Sequence, residues 1–382
     1  MSVTADMPAP RRAGTIVLAL VLVFGVFATA GPRAALLMLV GIGFGLVLEG
    51  LRFGFTGPWR TIVTERDGRG LMAQMLAIGL TALFAFPLLA SFPTELSGAH
   101  APVGAAMIVA AFVFGFAMQL VMGCGSGTLV NAGSGNAISL LALLGFIAGS
   151  FLGTLHLGWW SSFAALPVLT LQGIFGNYGG LGVTLLGLAL LAVVIARRAL
   201  PGKRLPSRRL WIAAALIAGL AVLNLVIAGQ SWGVVYGLGL WGAKLVAATG
   251  VDLAGSAFWG APSHAERLQQ SLLTDVTSLT NIGLIAGAFM VMRWRKSPDP
   301  QVAPLSICSW FVILSAGLVL GYSARVAFGC NVGAFFSGVS TGSLHGWVWF
   351  VAAFTGSMLG IRLRPRLLQT LSKQRGHADV LA

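Results

Sequence analysis

GCNVGAFFSGVSTGS, Gly329 to Ser343, interrupts two apolar runs with a glycine-rich break that carries a cysteine at its second position. GCGSGTLVNAGSGN, Gly123 to Asn136, is a break of the same kind. The chain has three cysteines, and two of them occupy matching places in these segments. Each segment reads as a helix-breaking loop held at membrane depth with a thiol near its tip.

The match extends outward. At an offset of 206, Gly115, Gly123, Cys124 and Gly127 align with Gly321, Gly329, Cys330 and Gly333. After one inserted residue, Gly135, Gly149, Ser150 and Gly153 align with Gly342, Gly356, Ser357 and Gly360. Fifty-two glycines make chance matches easy, but the joint match of cysteines and flanking glycines favours an internal repeat.

Composition sets the class. The chain is 57% hydrophobic and 9% charged, with mean hydropathy +0.89. No soluble domain of this length covers such a sequence with polar surface. The reading is an all-α polytopic membrane protein, with the lipid bilayer as solvent. The formal charge of +14 would suggest nucleic acid in a soluble chain. Here the basic residues cluster between apolar runs, as in loops facing the cytoplasm, so no nucleic-acid partner is expected. Three scattered cysteines make no disulfide framework. Arg11-Arg12, an apolar run and Ala28-Thr29-Ala30 imitate a signal peptide; the membrane sequence that follows favours a first span, with cleavage the lesser alternative.

Nine runs are read as spans: 14–30, 71–91, 102–121, 138–157, 180–197, 210–229, 277–293, 304–323 and 344–361. The glycine-rich stretches 34–51 and 232–250 are read as non-spanning. Basic clusters run from Arg52 to Arg69, Arg197 to Arg209, Arg293 to Lys296 and Arg362 to Arg375. Placing all four in the cytoplasm puts the N-terminus outside and the C-terminus inside. The first cysteine loop then dips in from the cytoplasm and the second from outside. The division is a first half, 1–179, a linker helix with a basic loop, 180–209, and an inverted second half, 210–382. Transporters built this way place their site at the midplane. Arg11, Arg12 and Arg33 fit poorly, since Arg11 and Arg12 fall outside; moving them inside would require 34–51 to cross.

Backbone groups freed by a break at membrane depth must line a wet cavity or be buried in protein. The helix after each loop turns its N-terminus toward it and favours an anion there. The candidate path is Gly123, Cys124, Gly125, Ser126 and Gly127 from one loop and Gly329, Cys330, Asn331 and Gly333 from the other, with Arg325 either to attract anions or merely to fix the loop. A thiol suits a substrate with a soft sulfur, because S–H donates weakly to it. Cys308, in an ordinary apolar run, reads as packing. Glu49 and Lys244 are embedded charges that either serve function or reach an interface. His345 reads first as a packed histidine. Gln119, the repeat partner of Arg325, carries no charge. With no acidic pair, metal-ligand spacing or nucleotide motif, no cofactor, metal or enzymatic reaction is expected.

At these loops the chain resembles the YeeE/YedE family of sulfur transporters. GCNVGAFFSGVSTGSLHGWVWF, 329–350, carries the resemblance, with GCGSGTLVNAGSG, 123–135, and LRFGFTGPWR, 51–60. The resemblance implies an hourglass-shaped, nine-span protein of the inner (plasma) membrane. It also implies that thiosulfate passes between cysteine thiols through S–H···S hydrogen bonds, without cleavage. Cys124 and Cys330 match two of the family's cysteines; a third is expected in the RFGF stretch, where this chain has Gly54. A small cytoplasmic TusA-like sulfurtransferase is the partner the family implies. The alternatives are another small anion, such as a selenium oxyanion or sulfite, and a membrane thiol redox or sulfur-relay protein.

Overall fold

The computed structural model describes residues 9–295 and 305–368. Lys296, residue 304 and the part of the last basic cluster from 369 to Arg375 lie outside the described residues. Among the described residues fifteen α-helices follow in order: α1 (Ala9–Gly50), α2 (Gly57–Thr64), α3 (Arg69–Ser91), α4 (Ala105–Val121), α5 (Gly125–Gly133), α6 (Ala137–Leu155), α7 (Leu157–Ser161), α8 (Leu171–Arg198), α9 (Arg208–Ala228), α10 (Val235–Ala248), α11 (Pro262–Gln269), α12 (Val276–Trp294), α13 (Ile307–Val326), α14 (Gly338–Ser340) and α15 (Leu344–Leu367). A wide π-type turn, Asn331–Ser337, precedes α14. Among the described residues there are no strands, only isolated bridges such as Thr170–Ser343.

Among the described residues, nine helices are long and apolar enough to cross a membrane. Their starts and stops follow local chemistry. Asn136 caps α6 by accepting from the Ser139 N–H, and Asp275 caps α12 by accepting from the Ser278 N–H. Gly229, with φ 73°, ends α9 in the left-handed conformation that glycine adopts without penalty. Arg69, Arg198, Arg208, Arg293 and Arg364 all lie at the ends that face one side, here called the basic face.

The first of the nine departs from the expected layout. At Gly31 the backbone leaves helical geometry (φ 85°, ψ 179°), with Pro32 next. Thr15 Oγ1 accepts from Trp294 Nε1 at 2.7 Å, while Glu49 Oε1 pairs with Arg295 at 2.6 Å. A straight helix would hold Thr15 and Glu49 roughly 50 Å apart. Their contacts with Trp294 and the adjacent Arg295, at the end of α12, therefore require α1 to fold back at Gly31. The second arm, 32–50, is about 28 Å long and starts where Arg33 donates to the Ile227 carbonyl, at the end of α9 away from the basic face. It ends at Glu49 on the basic face. The stretch 34–51 therefore crosses, and the first arm brings the chain around Arg12 to the basic face. The expectation that Arg12 falls outside and that 34–51 does not span is corrected, and the residue-12 region now obeys the charge rule. By contrast, α10 is about 21 Å long and falls short of a span, as expected for 232–250.

Helices without water between them associate through close packing of small residues. Gly41 and Gly45 of α1 meet Gly283 and Gly287 of α12; a Cβ on Gly41 would lie 2.6 Å from the Thr280 carbonyl. Gly115 of α4 meets Ala353 of α15, and Gly321 of α13 meets Phe146 of α6. Those last two contacts join repeat-related positions, so one packing arrangement occurs twice.

Candidate functional site

The two cysteine breaks share one backbone device. Met122 (φ 60°) and Phe328 (φ 59°) are left-handed, a costly conformation for side chains of that size. Each is followed by a glycine and then by an extended cysteine, with ψ −168° at Cys124 and −169° at Cys330. The chain then enters a short helical segment, α5 or the π-type turn. Arg52 is also left-handed, two residues before Gly54. A left-handed residue thus stands two places before each of the three positions singled out for a thiol, although Phe53 takes the place of the intervening glycine.

Cys124 and Cys330 are unpaired and fully buried. The loops meet at Gly125, where an added Cβ would stand 3.0 Å from Cys330 Sγ. The N–H groups of Gly125, Val332 and Gly333 face the Cys330 sulfur. Ser126 Oγ lies 3.4 Å from Cys124 Sγ, and the Thr56 hydroxyl faces the same sulfur. Asn331 Nδ2 donates to the Phe55 carbonyl at 3.5 Å, tying the second loop to the RFGF stretch. Thr128 and Asn331 are buried, and each keeps an oxygen with no hydrogen-bond partner among the described residues. Buried polar atoms left in this way mark a place where another polar species fits.

Cavities flank this meeting point on opposite sides. One of about 460 Å³ opens away from the basic face; Gly329, Gly333, Arg325 and His345 line it. On the basic face a cavity of about 180 Å³ is lined by Glu49, Gly54, Met122, Ser126 and Gly127. A second there, about 350 Å³, also reaches Gly54 and adds Arg69 and Arg209. Gly123 packs its backbone against Thr128 in the first loop.

The remaining candidates separate clearly. Arg325 lies over the Phe258 ring at 4.4 Å and the Tyr236 ring at 5.5 Å. His345 is buried, with Nδ1 2.8 Å from Ser343 Oγ. Glu49 lines a cavity but is engaged by Arg295. Lys244 lines none of these cavities; its ammonium donates to the carbonyls of Leu268 and Gln270. Cys308 is exposed at the start of α13, away from both loops. Among the described residues no group of three or more His, Cys, Asp or Glu could hold a metal ion.

Sequence reasoning passed over several supporting residues. Gln74 of α3 donates to the Gly54 carbonyl at 2.8 Å and accepts from Trp59 Nε1. Asn281 of α12 donates to the Val234 carbonyl at 3.0 Å, and Val234 packs beside Gly125. Both amides are fully buried in apolar helices. A polar residue inside an apolar run is a signal in itself.

A family model described as sulphur transport matches residues 51–359. The chain is 31% identical over 152 residues to the "Probable transporter YedE" of Escherichia coli strain K12, covering 40% of this chain and 37% of that protein. The Salmonella typhimurium protein of the same name is 28% identical over 155 residues, again 40% and 37%. The match to these two relatives thus spans little more than a third of their length. The "Thiosulfate transporter TsuA" of Spirochaeta thermophila is 26% identical over 337 residues, covering 81% of this chain and 93% of that protein.

Proposed function

The chain belongs to the sulphur transport (YeeE/YedE) family, and from that premise we propose that it carries thiosulfate, or a closely related small sulfur anion, inward across the inner (plasma) membrane. One observation carries the reading: two repeat-related thiols sit together where two breaks meet, with a cavity on either side. In this reading residues 1–179 and 210–382 are the two halves and 180–209 links them.

The chemistry fits a cargo with two unlike ends. Its oxygens take N–H and O–H donors from the glycine-rich backbone and from Ser126. Its terminal sulfur takes weak S–H donation from Cys330 and then Cys124. No bond breaks, so the reading needs neither cofactor nor enzymatic step. The likeness over most of the length of a thiosulfate transporter supports this cargo. A TusA-like sulfurtransferase at the basic face is the proposed receiver, supported by the cavity that opens there beside Gly54, Arg69 and Arg209.

Gly54 favours a second reading, another oxyanion such as sulfite or a selenium oxyanion. A family thiol is missing there, so sulfur hand-over has one station fewer. Uptake of labelled thiosulfate by proteoliposomes tests both. Wild type takes it up and Cys124→Ala does not; normal uptake by that variant overturns the thiol path. Stronger competition by sulfite or selenite than by unlabelled thiosulfate favours the second reading. A trapped Cys124–Cys330 crosslink that forms and opens during turnover would favour a redox role instead.

A further inference from the structure

A groove of about 350 Å³ runs along α3 between α8 and α9. α3 packs against both of those helices, yet they make little contact with each other, although only residues 199–207 separate them in the chain. The side chains that line the groove carry no charge, amide or hydroxyl; among the described residues Trp211 alone offers it a polar group, its indole N–H. None of them lines the cavities beside the cysteine loops.

Lipid tails wet any apolar surface, so depth and mouth are what distinguish this one. On α3 the lining runs from Met72, one turn from Arg69 at the basic face, to Leu83. That is about 17 Å along the helix axis. Half of a hydrocarbon core of about 30 Å is about 15 Å, so the groove has the depth of one leaflet. At its basic-face end stand Leu205 and Trp211, both half exposed or more, with the indole at headgroup level.

The charges at this end are arranged. Arg204 immediately precedes Leu205, and Arg208 stands one turn before Trp211 on the same face of α9. Both are exposed, and neither has a hydrogen bond or ion pair among the described residues. Arg209, by contrast, lines the cavity beside Gly54. The loop that carries Arg204 is anchored: the Gly68 N–H donates to the Lys203 carbonyl at 3.0 Å, and the Leu200 N–H to the Arg66 carbonyl at 3.0 Å.

We propose that this groove binds one anionic diacyl phospholipid of the leaflet on the basic face. One acyl chain lies along Gly79 between α8 and α9, and the phosphate diester takes Arg204, Arg208 and the Trp211 N–H. Guanidinium groups recognise phosphate oxygens through charge-assisted N–H donors. A zwitterionic headgroup brings an ammonium that the same arginines repel, so the site prefers net negative lipid. The bound lipid fills the gap between the linker helix α8 and α9, where protein packing is thin. The binding does not depend on the identity of the cargo.

Native mass spectrometry of the purified full-length protein tests it, in detergent holding equal amounts of phosphatidylglycerol and phosphatidylcholine with the same chains. Each arginine near an anionic headgroup favours it about fivefold, so wild type should retain one phosphatidylglycerol with a preference of at least tenfold. Arg204→Gln combined with Arg208→Gln should bring the two lipids near parity. Arg293→Gln combined with Arg362→Gln removes exposed basic-face charge outside the groove and should leave the preference intact. A Cβ on Gly79 meets nothing nearer than the Leu185 and Leu188 methyls at 3.7 Å, so Gly79→Leu should keep the wild-type melting temperature, fill the groove and cut retained phosphatidylglycerol at least tenfold. The proposal is overturned by a wild type without preference, or by a preference that survives either the Arg204 and Arg208 pair or Gly79→Leu. Loss of the preference in the Arg293 and Arg362 pair overturns it too, because the attraction then belongs to the whole face. A lipid-free dimer would give the groove to a second copy of the chain and overturn it as well.

Discussion

Gly125 and Cys330 bring the two cysteine loops together: a methyl group on Gly125 would stand 3.0 Å from the Cys330 sulfur. Phe146, at 3.2 Å, and Val234, at 3.3 Å, close the same space, so the methyl has nowhere to go. Gly125→Ala should therefore displace the Cys330 thiol from its place beside the Gly125, Val332 and Gly333 N–H groups. Overpacking of this kind costs about 1–3 kcal/mol, which a polytopic protein can tolerate. The expected result is a folded protein whose thiosulfate uptake falls at least tenfold. Uptake at the wild-type rate would mean that the contact between loops is not on the path.

Gly54 offers the opposite case. A Cβ there meets only Pro58 Cδ, at 4.0 Å, and the position faces both cavities of the basic face. Its φ is not in the left-handed region, so a side chain adds no backbone strain. Gly54→Cys should fold with the wild-type melting temperature and restore a third thiol, two places after a left-handed residue as Cys124 and Cys330 are. The measurement is the initial rate of thiosulfate uptake, expected to rise, beside that of Gly54→Ser, expected to stay level. Equal rates in the two variants would show that a thiol there has no part in transfer.

The breaks were legible because glycine and cysteine are conspicuous in apolar sequence, and the short length of α10 followed from charge parity. The fold-back of α1 was hidden for a physical reason. One glycine with positive φ reverses the chain inside an apolar run, and hydropathy does not register a change of direction. Arg33 gave a misleading sign, since its guanidinium serves the Ile227 carbonyl at the end of α9 opposite the basic face. Arg11 and Arg12 were the better clue, because an outside position for them broke the charge rule. Gln74 and Asn281 could have been found as lone amides within spans. What they hold, the carbonyls of Gly54 and Val234, required the structure.

Cys308 tests the orientation. It is exposed near the basic-face end of α13, while Cys124 and Cys330 are fully buried. A membrane-impermeant maleimide should label one thiol in inverted vesicles and none in right-side-out vesicles. Cys308→Ala should abolish that labelling and leave uptake within twofold of wild type. Labelling from the other side would reverse the assigned topology, and a large loss of uptake would bring Cys308 into the function.

Glu49 and Arg295 tie the second arm of α1 to the end of α12. Glu49 is 4% exposed, and its Oε1 lies 2.6 Å from Arg295 Nη1. Arg295 Nη2 also donates to the Glu49 carbonyl at 2.9 Å. Removing the arginine leaves a carboxylate in a nearly dry site, where losing one partner of a fully buried pair costs about 3–5 kcal/mol. Arg295 keeps a fifth of its side chain in solvent, and Arg52 stands 3.9 Å from the same carboxylate, so the cost here should fall below that range. Arg295→Met is expected to lower the melting temperature of the detergent-solubilised protein by several degrees. Adding Glu49→Gln to it should recover part of the loss, since no charge is then stranded. If Arg295→Met melts with wild type, the pair does not hold the arm, and the crossing of 32–50 must rest on its glycine packing against α12 alone.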